Sequence, residues 1–158
     1  MVELLYRVVP YRPQHAQAWR ALNEAWILEG GFIIEAKDQL VLGNPQASIL
    51  EPGGHIFMIE GADGTCVGCC AIQKMDDGGF ELAKMTVSPA ARGAGLSKQL
   101  MQACEAKARE LGAHRLYLET NSSLAPALRL YESWGFEYLP ARDTPYARAD
   151  IFMEKRLA

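Results

Sequence analysis

The sequence predicts an α/β (α+β) fold in which helices cover the faces of one central sheet. The first observation is size, because 158 residues at 17.4 kDa, with 49% of them apolar, fit a single domain with an ample core. The second is the order of elements, because several strand patterns joined by short turns precede an alternation of helix and strand. The chain shows no internal repeat and no Pro-, Gly- or Ser-rich linker, so we expect one domain over residues 1–158.

The first half of the chain begins with one strand pattern and two helical patterns. An apolar run over residues 4–9 ends at a proline and predicts a strand. Pro13 opens a segment with apolar residues at helical spacing, which ends at Gly30, and residues 35–42 form a second helical pattern. Turn residues then separate three strand patterns, over residues 56–60, 65–73 and 80–87.

The second half alternates helix and strand. A glycine-rich turn at residues 92–95 opens a long helical pattern that continues to Leu111, and Gly112 is placed to cap it. The remaining patterns predict a strand, a helix and two further strands, over residues 114–120, 122–133, 136–139 and 149–154.

Composition excludes several classes of function. The net charge is −3, without a long basic run, so we expect no nucleic-acid partner. No apolar stretch approaches the ~20 residues that span a bilayer, and the N-terminus lacks the apolar core of a secretory signal, so we expect no membrane association. The cysteines are too few and too clustered for a disulfide framework, which favours a cytoplasmic protein. Cys66, Cys69 and Cys70 lie in an apolar, β-prone segment typical of buried thiols, and we expect no metal.

The most specific local feature is the turn at residues 92–97, between a predicted strand and the long helix. Its glycines allow backbone N–H groups to approach a ligand, and a helix N-terminus favours an anion such as a pyrophosphate. The turn is not a P-loop, because Gly95 is followed by Leu96 rather than by Lys and Ser or Thr. It is not a dinucleotide-binding turn either, because antiparallel strand patterns precede it and Glu110 lies late in the helix.

Two motifs resemble the GNAT superfamily of N-acetyltransferases. Val87-Ser88-Pro89 followed by Arg92-Gly93-Ala94-Gly95-Leu96-Ser97 is similar to the loop with which that family holds the pyrophosphate of acyl-CoA. Leu118-Glu119-Thr120, Ala127, Leu130-Tyr131 and Gly135-Phe136 are similar to the second half of the family's domain. Both motifs occur in the family's order and separation, and the resemblance covers essentially the whole chain.

The resemblance implies a mixed, mostly antiparallel sheet that splays beside Val87 and admits the pantetheine arm of acetyl-CoA, the cosubstrate. The implied contacts to the arm are backbone groups of Met85, Thr86 and Val87, and those to the pyrophosphate are Arg92, Gly93, Ala94, Gly95, Leu96 and Ser97. Many relatives also bind the arm with an Asn seven residues before a helix Tyr. Here Leu124 holds that place and Asn121 lies three residues earlier, so either Asn121 or a backbone group would take the role.

The function that the resemblance implies is direct transfer of an acetyl group from acetyl-CoA to a primary amine of a small-molecule or peptide acceptor. It also implies a catalytic pair, with Glu81 as general base and Tyr131 as general acid. Strand alternation predicts that the Glu81 and Val87 side chains share one face. Packing roles for Glu81 and Tyr131 stay open, as do two other functions: a non-catalytic acyl-CoA sensor on the same fold and a nucleotide-binding switch protein.

The first half of the chain offers candidates for the acceptor site. Glu35 and Asp38 are three residues apart on a predicted helix and share a face. They form either a solvated face or an acidic rim that attracts a cationic amine. The GNAT layout, in which the first helices border the acceptor, adds weight to the rim without excluding the solvated face. Trp26 is expected in the core or in the wall of the acceptor pocket. Many relatives are dimers, so a homodimer stays open beside a monomer.

Overall fold

The computed structural model describes residues 5–157. The strands are β1 (Tyr6–Pro10), β2 (His55–Gly61), β3 (Cys66–Lys74), β4 (Phe80–Val87), β5 (Arg115–Thr120), β6 (Glu137–Leu139) and β7 (Ile151–Arg156). The helices are α1 (Ala16–Glu29), α2 (Ala36–Gly43), α3 (Leu96–Glu110) and α4 (Ala125–Ser133). Each corresponds to a predicted element; position 4 of the first predicted strand lies outside the described residues.

The seven strands form one sheet in the order β1-β2-β3-β4-β5-β7-β6. Neighbouring strands are antiparallel except β4 and β5, which are parallel. The predicted mixed, mostly antiparallel sheet is therefore confirmed. Among the helices of residues 5–157, none has both the length and the apolar character needed to cross a bilayer.

β4 and β5 stay together over only a short distance. Their pairing consists of Phe80 with Leu116 and Glu81 with Tyr117. Beyond Glu81 the two strands separate, so the rest of β4 has no ladder to β5 on that side. This separation is the splay that the sequence analysis expects beside Val87.

A β-bulge at Lys84 changes the direction of the side chains that follow it. β4 contains one more residue than β3 between two flanking pairs, Cys69↔Thr86 and Ala71↔Ala83. Lys84 has φ 58°, an uncommon value for a residue other than glycine. Because the extra residue reverses the alternation, Leu82 and Val87 pack in the same core cluster. The prediction that Glu81 and Val87 share one face is therefore wrong.

Two apolar clusters hold the helices against the sheet. The cluster on the α3 face buries Leu82, Val87, Leu100, Met101 and Leu116, and Tyr131 of α4 packs against it. The cluster on the α1 and α2 face buries Trp19, Ile27, Val41, Met58 and Ala71. Three free cysteines are buried in these clusters, as expected, and Cys66 is partly buried.

α4 begins three residues later than the sequence predicts. The backbone N–H and the hydroxyl of Ser122 each donate to the carboxylate of Asp150, at 2.8 Å. The Asn121 side-chain oxygen accepts the N–H of Ser123, also at 2.8 Å. These contacts hold the residues that follow β5 in a turn, so the first helical residue is Ala125.

Candidate functional site

A cleft of about 640 Å³ opens where β4 and β5 separate. Its walls are the diverging strand ends, the end of α1, the turn before α3, the first turns of α4 and the chain that precedes β7. The residues predicted for catalysis or acetyl-CoA binding that line it are Glu81, Met85, Thr86, Val87, Arg92, Gly93, Gly95, Leu96, Ser97, Asn121, Leu124 and Tyr131. Of that predicted set, only Ala94 does not line the cleft.

The turn before α3 offers backbone N–H groups at one end of the cleft. Gly93 and Gly95 have φ values of 90° and 76°, which residues with a Cβ rarely adopt. Gly95 is the N-cap of α3, and its lack of a side chain leaves the N–H groups of the first turn uncapped. The 15-residue helix adds a partial positive charge at this end. The turn is therefore suited to bind an anion.

Arg92 braces this turn against its neighbours. Its Nε donates to the Val87 carbonyl at 3.1 Å, and its Nη2 donates to the Glu29 carboxylate at 3.2 Å. The first contact ties the turn to the end of β4 and the second ties it to α1. Since the Arg92 and Glu29 side chains are about half exposed, this ion pair contributes little to stability.

The middle of the cleft is bordered by the free side of β4 and the turn before α4. Leu124 lines this region, together with Asn121. The Asn121 side-chain nitrogen donates to the Arg148 carbonyl at 2.7 Å, and its oxygen is bonded to Ser123, so both polar atoms have protein partners. This arrangement favours a backbone group over the Asn121 side chain as the contact to a pantetheine arm.

Glu81 lies at the inner end of the cleft, where strand pairing stops. Burial raises the pKa of its carboxyl to about 7, and the charge of Glu119 on β5 adds to the rise. Lys84, Lys37 and Arg142 act in the opposite direction. A carboxylate with a pKa of about 7 can exchange a proton efficiently at neutral pH.

Tyr131 lines the same cleft from α4. Its ring packs against Phe136, with the centroids 5.9 Å apart, and burial raises the pKa of its hydroxyl above the ordinary value. The phenol therefore stays protonated at neutral pH and can act as a proton donor. The structure thus brings Glu81 and Tyr131 into one cavity.

Glu35 and Asp38 do not line the cleft. Asp38 is fully buried, and its carboxylate binds Lys84 and Arg148. Glu35 accepts the N–H of Ala147 at 2.9 Å and lies 3.4 Å from Arg148. Asp38 is thus not part of an exposed acidic rim, and Glu35 forms an ion pair with Arg148.

Three further residues of the cleft wall, Lys84, Tyr146 and Arg148, were not predicted. The Arg148 guanidinium lies 5.3 Å from the centroid of the Trp26 ring and 4.6 Å from that of Tyr146. Lys84 could have been recognised from the sequence, because it interrupts a largely apolar strand. A lysine buried in such a strand needs a charged partner for its ammonium group. Tyr146 and Arg148 lie between β6 and β7, where the sequence has no periodic pattern.

One group of potential metal ligands lies outside the cleft: His15, Glu60 and Cys66 place one ligand atom each within 4.8 Å of one another. The N–H of Arg12 donates to Nδ1 of His15, so the proton of the neutral ring is on Nε2, which lies 2.7 Å from Glu60. Burial raises the pKa of the Cys66 thiol. Hydrogen bonds from Arg12 to His15 and between His15 and Glu60 thus account for the proximity of the two side chains.

Comparison with known proteins identifies the family. The sequence matches the acetyltransferase (GNAT) family over residues 10–136. It is 39% identical over 89 residues to an uncharacterized N-acetyltransferase of Escherichia coli, YjgM, covering 54% of this chain and 53% of that protein. It is 36% identical over 106 residues to an IAA acetyltransferase of Azospirillum brasilense, covering 64% of this chain and 67% of that protein. The chain thus matches about half to two thirds of the length of these relatives.

Solved structures show the same fold. A GNAT acetyltransferase of Staphylococcus aureus Mu50 superposes with a TM-score of 0.88 at 20% identity, covering 97% of this chain and 99% of that one. A Salmonella typhimurium protein solved with its cofactor acetyl-CoA has a TM-score of 0.78 at 20% identity, covering 98% and 95%. The family match spans both the turn before α3 and the Gly135-Phe136 pair. The chain therefore belongs to the acetyltransferase (GNAT) family.

Proposed function

We propose that this protein is an N-acetyltransferase that moves an acetyl group from acetyl-CoA directly to a primary amine. The observation that carries the proposal is one cleft with two chemically different ends. The turn before α3 is suited to hold a diphosphate, and Glu81 at the inner end is a carboxyl whose pKa is about 7. Membership of the GNAT family supports acetyl-CoA as the acetyl donor.

In this proposal, acetyl-CoA lies along the free side of β4. Its pyrophosphate accepts hydrogen bonds from the N–H groups of residues 92–97, with the dipole of α3 adding to the attraction. Its pantetheine amides pair with the backbone of Met85, Thr86 and Val87, which has no ladder to β5. This orientation directs the thioester toward the part of the cleft that contains Glu81 and Tyr131.

Glu81 then prepares the amine for attack. An alkyl amine has a pKa of about 10, so it is protonated at neutral pH and must lose a proton before its lone pair can react. Glu81 accepts this proton, directly or through a water molecule. The nitrogen forms a bond to the thioester carbonyl carbon, and the carbon–sulfur bond breaks with its electron pair remaining on sulfur. The nitrogen, now bonded to the acetyl group, releases its second proton to solvent.

Tyr131 completes the transfer by donating its proton to the departing thiolate. Burial keeps its hydroxyl protonated until the sulfur develops negative charge. Bulk solvent then returns a proton to Tyr131 and removes one from Glu81. The products are free CoA and an N-acetylated acceptor.

The acceptor occupies the part of the cleft that lies beyond the thioester, beside Trp26, Glu119 and Tyr146. The expected preference for cationic amines now rests on Glu81 and Glu119, because the carboxylates of Glu35 and Asp38 are bonded to cations. We propose a small-molecule or peptide amine as the acceptor class.

The test is a panel of small amines, amino acids, polyamines and peptides incubated with acetyl-CoA. Free thiol is measured, and the acetylated product is identified by mass. We expect acceptor-dependent thiol release that matches the product in amount. Binding of acetyl-CoA without turnover on any acceptor would instead favour a sensor module. Thermal stabilisation by ATP or NAD but not by acetyl-CoA would favour a nucleotide switch.

A further inference from the structure

A buried ionic cluster joins three parts of the chain behind the acceptor end of the cleft. Its centre is Asp38, which lies in the first turn of α2. The Asp38 side chain has no exposed surface. Lys84 at the bulge of β4 donates to Asp38 Oδ1 at 2.5 Å. Arg148, between β6 and β7, donates through Nη2 to Oδ1 at 2.6 Å and through Nη1 to Oδ2 at 2.8 Å. These residues are 46 and 110 positions from Asp38 in sequence.

The two oxygens of the Asp38 carboxylate accept four hydrogen bonds in total. The fourth donor is the backbone N–H of Glu35, at 2.8 Å from Oδ2. Burial alone would raise the pKa of Asp38, but hydrogen bonds from Arg148 and Lys84 lower it to about 2. Asp38 is therefore charged at neutral pH and has no free lone pair for a substrate. It does not line the cleft, whereas both of its cationic partners do.

The chain from residue 140 to residue 150, here called the 140–150 segment, is held mainly by side-chain contacts, together with a backbone bond from the Asp150 N–H to the Thr120 carbonyl at 3.0 Å. It contains neither helix nor strand, yet it supplies Tyr146, Arg148 and Ala149 to the cleft wall. Asp38 holds its Arg148 side chain, and Glu35 accepts the N–H of Ala147. The bidentate contact of Arg148 to Asp38 is the most directional of these ties.

A buried ionic cluster is a costly way to obtain stability alone, since apolar side chains of similar volume often stabilise a core equally well. Such a cluster instead fixes geometry, because charged hydrogen bonds tolerate few alternative arrangements. Here the fixed geometry concerns Tyr146, whose hydroxyl lies 3.4 Å from Lys84 Nζ, and Arg148, whose guanidinium lies near the rings of both Trp26 and Tyr146.

We propose that Asp38 is a positioning residue for the acceptor: through Arg148 and Lys84 it fixes the 140–150 segment as the wall against which the acceptor amine is oriented toward Glu81. This inference rests on the proposed acetyltransferase function. Asp38 would act through its two cationic partners and would not touch the substrate. Its loss would therefore affect binding of the acceptor and not binding of acetyl-CoA.

The test compares Asp38→Asn with the parent and with Glu105→Gln. Glu105 is a matched control, because it also binds cations, with Lys155 Nζ at 2.6 Å, but does not line the cleft. We expect Asp38→Asn to raise the acceptor KM by about tenfold or more, since small displacements of a substrate-orienting wall have large effects. The acetyl-CoA Kd should stay within about twofold of the parent value, because the turn before α3 is untouched. Glu105→Gln should change neither constant.

A second variant and a second measurement keep the proposal testable if Asp38→Asn fails to fold or shows no activity. Arg148→Lys keeps the charge but removes the two-pronged contact, and we expect a smaller rise in acceptor KM. Hydrogen–deuterium exchange of the 140–150 segment should be faster in Asp38→Asn and in Arg148→Lys, and unchanged in Glu105→Gln. This measurement needs no turnover, so it separates failure of this inference from failure of the proposed function. Unchanged exchange in Asp38→Asn, or equal effects of Asp38→Asn and Glu105→Gln on acceptor KM, would overturn the proposal.

Discussion

Glu81 of β4 pairs with Tyr117 of β5 at the last position before the two strands separate. The Tyr117 hydroxyl donates to Glu119 at 2.8 Å, and the hydroxyl of Thr144 donates to the other oxygen of the same carboxylate. Strand pairing thus fixes two carboxyl groups at the inner end of the cleft. One of them, Glu119, is held by two donors, and its charge helps burial to raise the pKa of the other.

Removal of the Glu119 charge is expected to shift the pH dependence of turnover. In Glu119→Gln the pKa of Glu81 falls, because burial acts without the added repulsion while Lys84, Lys37 and Arg142 still lower it. The rising limb of kcat/KM against pH should move to lower pH. The profile of Glu105→Gln serves as the control and should match the parent. A limb that stays in place in Glu119→Gln would mean that Glu119 does not influence the titrating group.

Tyr131→Phe is expected to lower turnover by about 10²–10⁴-fold, because the departing thiolate then lacks its proton donor. The acetyl-CoA Kd should be nearly unchanged, since the ring and its packing on Phe136 remain. The measurement is steady-state thiol release together with calorimetric titration of acetyl-CoA. Parent-like turnover would show that solvent protonates the thiolate and that the acid assignment is wrong.

Gly93→Val and Gly95→Val are expected to weaken acetyl-CoA binding strongly. Both glycines have positive φ, so a β-branched side chain would force the turn out of the conformation that presents its N–H groups. Gly64→Val is the matched control, because Gly64 also has positive φ (84°) and lies in the turn between β2 and β3, outside the cleft.

The control should lose stability without a comparable loss of acetyl-CoA affinity. Arg92→Ala should cost less than the glycine variants, about 0–1 kcal/mol in binding, because the Arg92 side chain is about half exposed and an ion pair from it to the pyrophosphate would be screened by solvent. The quantity compared is the acetyl-CoA Kd by calorimetry. Equal affinity in the parent and in both cleft glycine variants would place the cosubstrate elsewhere.

Glu81 is also expected to reduce stability at alkaline pH. Its folded-state pKa of about 7 lies above the ordinary 4.5, so the folded state favours the protonated carboxyl. That contribution is fully present below about pH 4.5 and is lost as pH rises through 7. Glu81→Gln stays neutral, so its Tm should exceed that of the parent more at pH 8 than at pH 5.

The comparison variant for this effect is Glu137→Gln, which changes an exposed strand glutamate. Its Tm difference from the parent should not grow between pH 5 and pH 8. Differential scanning calorimetry at the two pH values gives both comparisons. A Glu81→Gln difference that is the same at pH 5 and pH 8 would show that the pKa of Glu81 is not raised.

Local sequence patterns predicted the order of elements, and the resemblance to the GNAT superfamily predicted most of the residues that line the cleft. The strand over Phe80–Val87 was predicted with its observed bounds, and the turn before α3 was recognised from its glycines. Both depend on neighbouring residues, which a single sequence displays directly. The bulge at Lys84 was missed because the extra residue is visible only against the pairing with β3.

The contacts of Asp38 could not be predicted for a related reason. Helical spacing showed that Glu35 and Asp38 lie near each other but not which way that face points. Its direction is set by Lys84 and Arg148, whose contacts to Asp38 depend on the completed fold. A carboxylate with distant cationic partners therefore resembled an exposed rim in the sequence.

In the proposed reaction, Glu81 accepts the proton of the acceptor amine in the cleft between β4 and β5. The most direct measurement is the pH dependence of kcat/KM for one identified acceptor, in the parent and in Glu81→Gln. We predict that the parent rate rises through about pH 7. The variant should lack this inflection, be slower at neutral pH by about 10²–10⁴-fold, and recover in part toward the pKa of the amine. An identical profile in the variant would contradict the assignment and require a different base.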